Sequence, residues 1–420
     1  MKSHAIDVLV AGAGPVGLTT ALFLNKAGVS VTVADAKPGS VTHSYALALH
    51  PASLKLLEEV GVAEAIIERA VRVTSVGVYR GGQKMTAVPV ARRDTKFPFV
   101  AVVGQDVLES VLIKALAERG VAVRWNFRLA RFEQKPDTVK VGLDELEESM
   151  MGYAAARFDW LVRKSHELEA RFLVGADGHE SLVRRQLGVQ FTEVAPAEHY
   201  AVFEFQTSQD LGNEVPLVLH ESGLAVLWPL PDNRGRWSFS VDPAQYPDAI
   251  REKNHEPVQI IGSGIYPALE EAFFRHLLEE RTPWFSAPID RVYWRMLVRF
   301  ERRLANSFGS GRVWLAGDAG HLTGPAGIQS MNVGLREGRQ LAEIMAKSLQ
   351  SNGAAGRLAA YASERAEEWR RLLGMKGHLI AARTEASEIA KHGSGLLSCL
   401  PASGPELEDM AAGLGLTIAG

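Results

Sequence analysis

The sequence predicts an α/β protein: a parallel α/β unit assembled from separated segments, a mostly antiparallel β-sheet inserted between them, and helices toward the C-terminus. Three observations predict it. A short apolar strand runs through a glycine turn into an apolar helix and a second strand within the first 34 residues. Two later apolar strands end in Asp177-Gly178 and Gly317-Asp318. Between about Gln190 and Asp290, apolar and polar residues alternate, the pattern of a sheet with one exposed face.

A chain of 420 residues exceeds what one hydrophobic core holds, so two or three domains or subdomains are expected. Hydrophobic residues at 46% and charged residues at 23% exclude a disordered, collagenous or fibrous chain. Lys+Arg total 46 against 49 Asp+Glu, so the basic excess of a nucleic-acid binder is missing. The single cysteine, Cys399, excludes an internal disulfide framework and a multi-cysteine metal site, and no His/Glu cluster has metal spacing. A reduced, cytoplasmic protein with no metal is expected. The apolar run before Gly12 is too short to cross a bilayer, and no other stretch reaches about 18 apolar residues, so no membrane span is expected.

Element by element, Ile6–Ala11 reads as a buried strand, Leu18–Ala27 as a helix closed by Gly28, and Val29–Ala34 as a second strand. Together they form one βαβ unit, whose helical crossover favours parallel pairing. Leu54, Leu57 and Val60 give helical spacing over Pro51–Glu59, and Leu108, Val111, Leu112 and Leu116 do so over Gln105–Arg119. Val121–Trp125 reads as a strand, and Phe172–Ala176 as a short buried strand entered from the charged residues His166–Arg171. Alternation over Tyr200–Phe205, Leu224–Trp228 and Arg236–Val241 predicts antiparallel strands, closed by a helix near Leu269–Glu280. Val313–Ala316 returns to the buried-strand pattern, and helices follow over about Asn332–Leu349 and Tyr361–Leu373. From His392 the Gly, Ser and Pro content predicts a loosely held tail. The chain divides into residues 1–75, 100–188 and 290–348 as one domain, 76–99 and 189–289 as the inserted sheet domain, and 349–420 as C-terminal helices and tail.

The first turn reads Gly12-Ala-Gly14-Pro15-Val-Gly17. In such a turn the first glycine allows the tight bend, the second lets backbone approach a pyrophosphate, and the third lets helix and strand pack closely. The helix N-terminus adds favourable potential for an anion. Asp35 ends the second strand, roughly 20 residues past the glycines, where a carboxylate takes ribose hydroxyls. A Rossmann-like dinucleotide site follows from this geometry, without a choice between FAD and NAD(P).

The choice comes from Leu173-Val-Gly-Ala-Asp177-Gly178-His-Glu-Ser181-Leu-Val-Arg184 and Val313-Trp-Leu-Ala-Gly317-Asp318-Ala-Gly-His321, the latter followed by Gly324-Pro325-Ala-Gly327-Ile-Gln-Ser-Met331-Asn332. In order and spacing these motifs resemble the single-component FAD-dependent aromatic hydroxylases, the para-hydroxybenzoate hydroxylase family. The resemblance covers about residues 5–373 and is densest at the three motifs. It implies a GR2-type FAD-binding domain, non-covalent FAD, NADPH or NADH as reductant, and O2 as co-substrate. The reaction it implies is hydroxylation of an aromatic or polyketide-like small molecule through a flavin C4a-hydroperoxide, by a monomer or homodimer. Residue by residue, Asp318 takes a ribityl hydroxyl and Gly317 allows close approach. Pro325, Gly327, Met331 and Asn332 belong to the loop beside the isoalloxazine, whose amides face the pyrimidine ring. Gln105 touches the flavin chain, Asp177 and Gly178 match a motif linked to FAD and NADPH, and Arg184 is a local structural partner.

Three departures from the family stand out. Ile328 and Ser330 occupy places in the flavin loop that usually carry glycine, Tyr45 stands where many members have arginine, and the additional C-terminal thioredoxin-like domain of some relatives is not expected. His321 is expected to pack behind the flavin loop, while His43 and His50 have no assigned role. Phe203, Phe205, Trp228 and Trp237 are candidates for an apolar substrate wall over the flavin, the competing reading being ordinary sheet core. Alternative activities are a flavin-dependent halogenase, which Leu227-Trp-Pro-Leu-Pro resembles only superficially, an isoprenoid-type FAD reductase, and a flavin-binding redox sensor without catalysis.

Overall fold

A computed structural model of the chain describes residues 6–40, 48–92, 95–151, 157–246, 258–261, 264–267, 269–324, 326–350 and 355–419. Strand β1 (Ile6–Ala11) leads into helix α1 (Pro15–Lys26), where Pro15 sits at the first helical position and loses no hydrogen bond by lacking an N–H. Strand β2 (Val31–Ala34) returns beside β1. Strand β3 (Arg157–Gly175) is far longer than its buried end suggested. The charged residues His166–Arg171, expected to precede the strand, lie within it. Residues 157–170 pair antiparallel with Val139–Met151; one face of this ribbon buries Val139, Val141, Leu143 and Ala170, and the other carries Lys140–Glu167 and His166–Glu145 contacts, both at 2.9 Å. Charged residues on the exposed face alternate with Leu168 and Ala170 on the buried one, so the charge run hid a half-buried strand.

Strands β4 (Phe191–Gln206), β5 (Gly223–Leu230) and β6 (Arg234–Val241) pair antiparallel and are covered by helix α2 (Glu271–Arg281). Strand β7 (Val313–Leu315) then rejoins the first sheet, and helix α3 (Gln329–Gln350) follows.

The first sheet has its parallel core in the order β7-β3-β1-β2, continued by the two-residue strand Val123–Arg124. Register sets Ala11 opposite Gly175 and Ala34, and Gly175 opposite Leu315. The glycine turn, Asp177 and Gly317 therefore leave adjacent strands at the same carboxyl edge, where ligands bind open α/β sheets. Helices α1 and α3 pack there at close range: a Cβ on Gly334 would fall 2.7 Å from Val16 and one on Gly338 2.3 Å from Thr20.

The second sheet joins Ser75–Arg80 and Gln83–Pro89 to β4, β5 and β6, and extends through Arg291–Ala305 to His321–Leu322. Its two faces build separate cores. Tyr200, Val202, Val226 and Trp228 point into the core shared with the parallel unit. Ala201, Phe203, Phe205, Leu227, Trp237 and Phe239 point the other way, against Phe273, Phe274 and Leu277 of α2.

The tail corrects the sequence reading. Rather than hanging loosely, it forms helices over Gly393–Cys399 and Pro405–Gly413, and its last strand, Leu416–Ala419, pairs with His378–Ala381. Leu396, Leu400 and Ala402 are wholly buried. Its Gly and Ser content marks tight turns between packed apolar residues rather than an absence of contacts. Among the described residues, no helix is long and apolar enough to cross a membrane.

Candidate functional site

The glycine turn is shaped by what it lacks. Gly12 has φ +104°, and a Cβ there would lie 2.1 Å from the Ala176 carbonyl oxygen; one on Gly17 would lie 2.0 Å from that of Gly12. Gly14 faces open space. It is the N-cap of α1, no side chain caps the helix, and no acid occupies the first turn, so the positive end of the helix dipole is open to an anion. Asp35 accepts the amides of Ala13 at 2.7 Å and Lys37 at 2.8 Å, which ties the end of β2 to the turn.

Asp177 uses both carboxylate oxygens on the helix that follows, taking the Ser181 hydroxyl at 2.5 Å and the amides of Leu182 and Val183 at 2.8 and 3.1 Å. Burial pushes its pKa up against these bonds. Gly178, at φ +76°, opens onto free space. Arg184 is the local partner its position implied: buried, it donates to the carbonyls of His179 and Ala319 and lies 3.8 Å over Phe191. It thus ties the Asp-Gly turn to the Gly-Asp turn. Gln105 opens the helix Gln105–Glu118 and donates to Glu109 at 2.8 Å.

At the Gly-Asp turn, Gly317 has φ +66°, and a Cβ would meet Val16 at 3.0 Å. Its amide donates to Glu337 at 2.8 Å, and Asp318 is exposed with Ser330 donating to it at 2.6 Å. His321 packs behind the loop, wholly buried, 2.9 Å from Glu337 and stacked at 3.7 Å on Trp369, which also donates to Glu337. Burial acts to raise Glu337, but His321, the Trp369 N–H and Arg365 outweigh it and hold the carboxyl below its ordinary value.

The following loop is pinned from behind. Trp228 donates to the carbonyl of Ala326 at 3.1 Å, His50 contacts that of Gly327 at 2.9 Å, and Asn332 donates to that of Ile328 at 2.8 Å. Asn332 also holds Ala48 and the His50 amide. Its side chain is therefore a clamp on the loop, while Met331 is half-buried packing. Gly327 departs from the family expectation of an open amide: its N–H donates to Ser398 in the tail at 2.8 Å. Its missing Cβ matters instead, since one would fall 2.4 Å from the Leu400 carbonyl. Ile328 has φ +53°, a left-handed conformation strained for a β-branched residue and one that favours glycine. Pro325, Tyr45 and His43 lie outside the described residues.

Three of the four aromatic wall candidates are corrected. Phe203, Phe205 and Trp237 sit on the far face of the second sheet, Phe203 stacked 4.4 Å from Phe274. Side chains alternate along a strand, and these three share the phase that faces α2. Only Trp228 reaches the loop. Sequence reasoning left His50 unassigned and missed Glu337, Glu198 and the tail. Glu198 lies against Gly324, where a Cβ would be 3.1 Å from its carboxylate, between Arg302 at 3.3 Å and Tyr200 at 3.4 Å. Burial raises its pKa, with Arg302 opposing. One signal was available: Glu337 follows Ser330 by seven residues, two helical turns, and so shares its face.

These residues fit an extended dinucleotide with a polyol chain. The glycine cradle excludes side chains where backbone must approach, Asp35 and Asp318 supply carboxylates at two strand ends, and the open α1 terminus suits phosphate. Residues 5–374 match the family described as FAD binding domain. The chain is 30% identical to 6-methylpretetramide 4-monooxygenase of Streptomyces rimosus over 392 residues, 91% of this chain and 64% of that protein. It is 28% identical to para-nitrophenol 4-monooxygenase of Pseudomonas sp. strain WBC-3, over 85% of this chain and 82% of that one. The crystal structure of p-nitrophenol 4-monooxygenase PnpA from Pseudomonas putida DLL-E4 superposes with a TM-score of 0.70 at 24% identity, covering 97% of this chain and 93% of that one. The last of these similarities is one of fold.

Proposed function

We infer the activity from one premise: the chain belongs to the FAD-binding-domain family. The protein is an FAD-dependent monooxygenase that hydroxylates an aromatic or polyketide-like small molecule. The balance is one NAD(P)H, one proton, one O2 and one substrate C–H giving NAD(P)+, water and one C–OH. Bound FAD supplies the electron transfer and oxygen activation, which no side chain can provide. The observation that carries this reading is the convergence of Gly12–Gly17, Asp177 and Gly317–Asp318 at the carboxyl edge of three adjacent parallel strands.

In this reading Gly12, Gly14, Pro15, Gly17 and the α1 terminus take the pyrophosphate, and Asp35 the ribose. Gln105, Asp177 and Gly178 line the chain of the cofactor, the Asp177 carboxylate by holding the turn rather than by contact. Gly317 and Asp318 take the ribityl chain, and the loop of Pro325, Gly327, Met331 and Asn332 flanks the ring. The cofactor half is drawn from 1–75, 100–188 and 290–348 and the roof from 76–99 and 189–289, with Arg291–Ala305 lending a strand to the roof. Trp228 meets the loop from that roof and Glu198 meets Gly324 at its start, where the cover keeps water from the reacting centre. The relatives named for para-nitrophenol and 6-methylpretetramide support a ring-bearing substrate. We place the enzyme in the cytoplasm as a monomer or homodimer.

The test is mass spectrometry under isotopically labelled O2. The purified protein is expected to be yellow, to oxidise NAD(P)H faster when a suitable ring compound is present, and to put one labelled atom into the product. Accelerated NAD(P)H oxidation that yields a saturated or halogenated product without label overturns the assignment.

A further inference from the structure

Helix α3 grips the Gly-Asp turn at two points. Glu337, wholly buried, takes the Gly317 amide at 2.8 Å and so fixes the backbone of the turn. Two helical turns earlier on the same face, Ser330 donates its hydroxyl to Asp318 Oδ1 at 2.6 Å. The Ser330 oxygen also lies 3.3 Å from His321 Nδ1, whose other ring nitrogen is 2.9 Å from Glu337. An unbroken chain of contacts thus runs from a buried carboxylate to an exposed one. A residue without a hydroxyl at position 330 would leave the exposed aspartate free to change rotamer.

We propose that Ser330 is a positioning residue: its hydroxyl latches the Asp318 carboxylate in the orientation that receives a polyol hydroxyl of the flavin's ribityl chain, with the His321–Glu337 pair as backing. The proposal rests on the reading above that Asp318 faces that chain. The physics is preorganisation. A carboxylate has about four lone-pair sites, and one bond to Ser330 leaves the rest for the ligand. A carboxylate already held in place loses less rotamer freedom when the ligand binds.

The test is a titration of flavin-stripped full-length protein with FAD, followed by flavin fluorescence. It compares wild type, Ser330→Ala, Ser330→Thr, Asp318→Ala and the Asp318→Ala/Ser330→Ala pair. Ser330→Ala is expected to raise Kd about fivefold, the rotamer freedom that an unlatched carboxylate loses when the ligand binds. Ser330→Thr, which keeps the hydroxyl, is expected to stay within about twofold, and Ser330→Ala is expected to change nothing further once Asp318 is alanine. An unchanged or tighter Kd in Ser330→Ala overturns the latch, as does an undiminished loss in the Asp318→Ala background, since Ser330 would then act without Asp318. Thermal melting of the ligand-free variants supplies a second reading. Ser330→Ala is expected to lower Tm with Asp318 present and not with Asp318 replaced. If wild type takes up no FAD, the reading of the site fails, and the melting cycle still decides the latch: equal shifts in both backgrounds overturn it.

Discussion

His50 shows how a single side chain gains its role from depth. Its ring is wholly buried, with Nε2 on the Gly327 carbonyl and Nδ1 without a hydrogen-bond partner among the described residues. Burial, helped by the charge of Arg336 and resisted by the Gly327 bond, lowers its pKa from 6.5 to about 3. The unfolded chain therefore binds a proton there below 6.5 that the folded chain refuses. Stability from this group is fully present above 6.5 and is lost as pH falls from 6.5 toward 3. At pH 5 the loss is about 2 kcal/mol. His50→Asn keeps a donor for Gly327 and removes the titration. Denaturant unfolding at pH 7 and pH 5 is expected to show wild type losing about 2 kcal/mol more than the variant, and equal losses would refute the assignment. Nothing in the local sequence Leu49-His-Pro announced this, because burial is a property of neighbours distant in the chain, here Gly327 and Asn332. Asp35 and Asp318, by contrast, were legible as carboxylates at strand ends, since spacing from the glycines and the Gly-Asp pair locates them without knowledge of the rest.

At the scale of elements, the period of a strand was legible and its phase was not. Alternation along β4, β5 and β6 identifies two sets of side chains but does not say which set faces the cofactor half. The set richer in aromatics, with Phe203, Phe205 and Trp237, looks like a wall for a planar substrate and instead meets α2. The two sets respond differently to substitution. Phe203→Ala removes a wholly buried ring and is expected to lower unfolding stability by about 3–5 kcal/mol while leaving KM for the ring-bearing substrate unchanged. Trp228→Phe keeps most of the packing but releases the Ala326 carbonyl, and is expected to change substrate-stimulated NAD(P)H oxidation at a cost of only about 1–2 kcal/mol in stability. Denaturant curves and steady-state kinetics on both variants check this. A KM shift in Phe203→Ala larger than in Trp228→Phe would reverse the assignment of faces.

The whole molecule closes around its C-terminal segment. Gln329, at the start of α3, donates to the Leu397 carbonyl at 2.9 Å and lies within 3.4 Å of those of Leu400 and Ala402. Cys399 is buried there, its thiol pushed up to about 12 by burial, so it stays a protonated packing group. A chain ended after residue 391 is expected to lose this plug, expose the Gly327 amide and the apolar residues beneath it, and aggregate or melt without cooperativity. A shortened chain with unchanged Tm would restore the picture of a loose tail. The sequence by itself determined the α/β class and the places of the three glycine-bearing turns at strand ends, because each depends on neighbours within a few residues or on a fixed spacing. Only the tertiary structure decided which sheet face turns inward, which residue takes the Gly327 amide, and how far His50 and Glu337 are buried. Those outcomes depend on segments tens to hundreds of residues apart, and local spacing carries no record of where such segments meet.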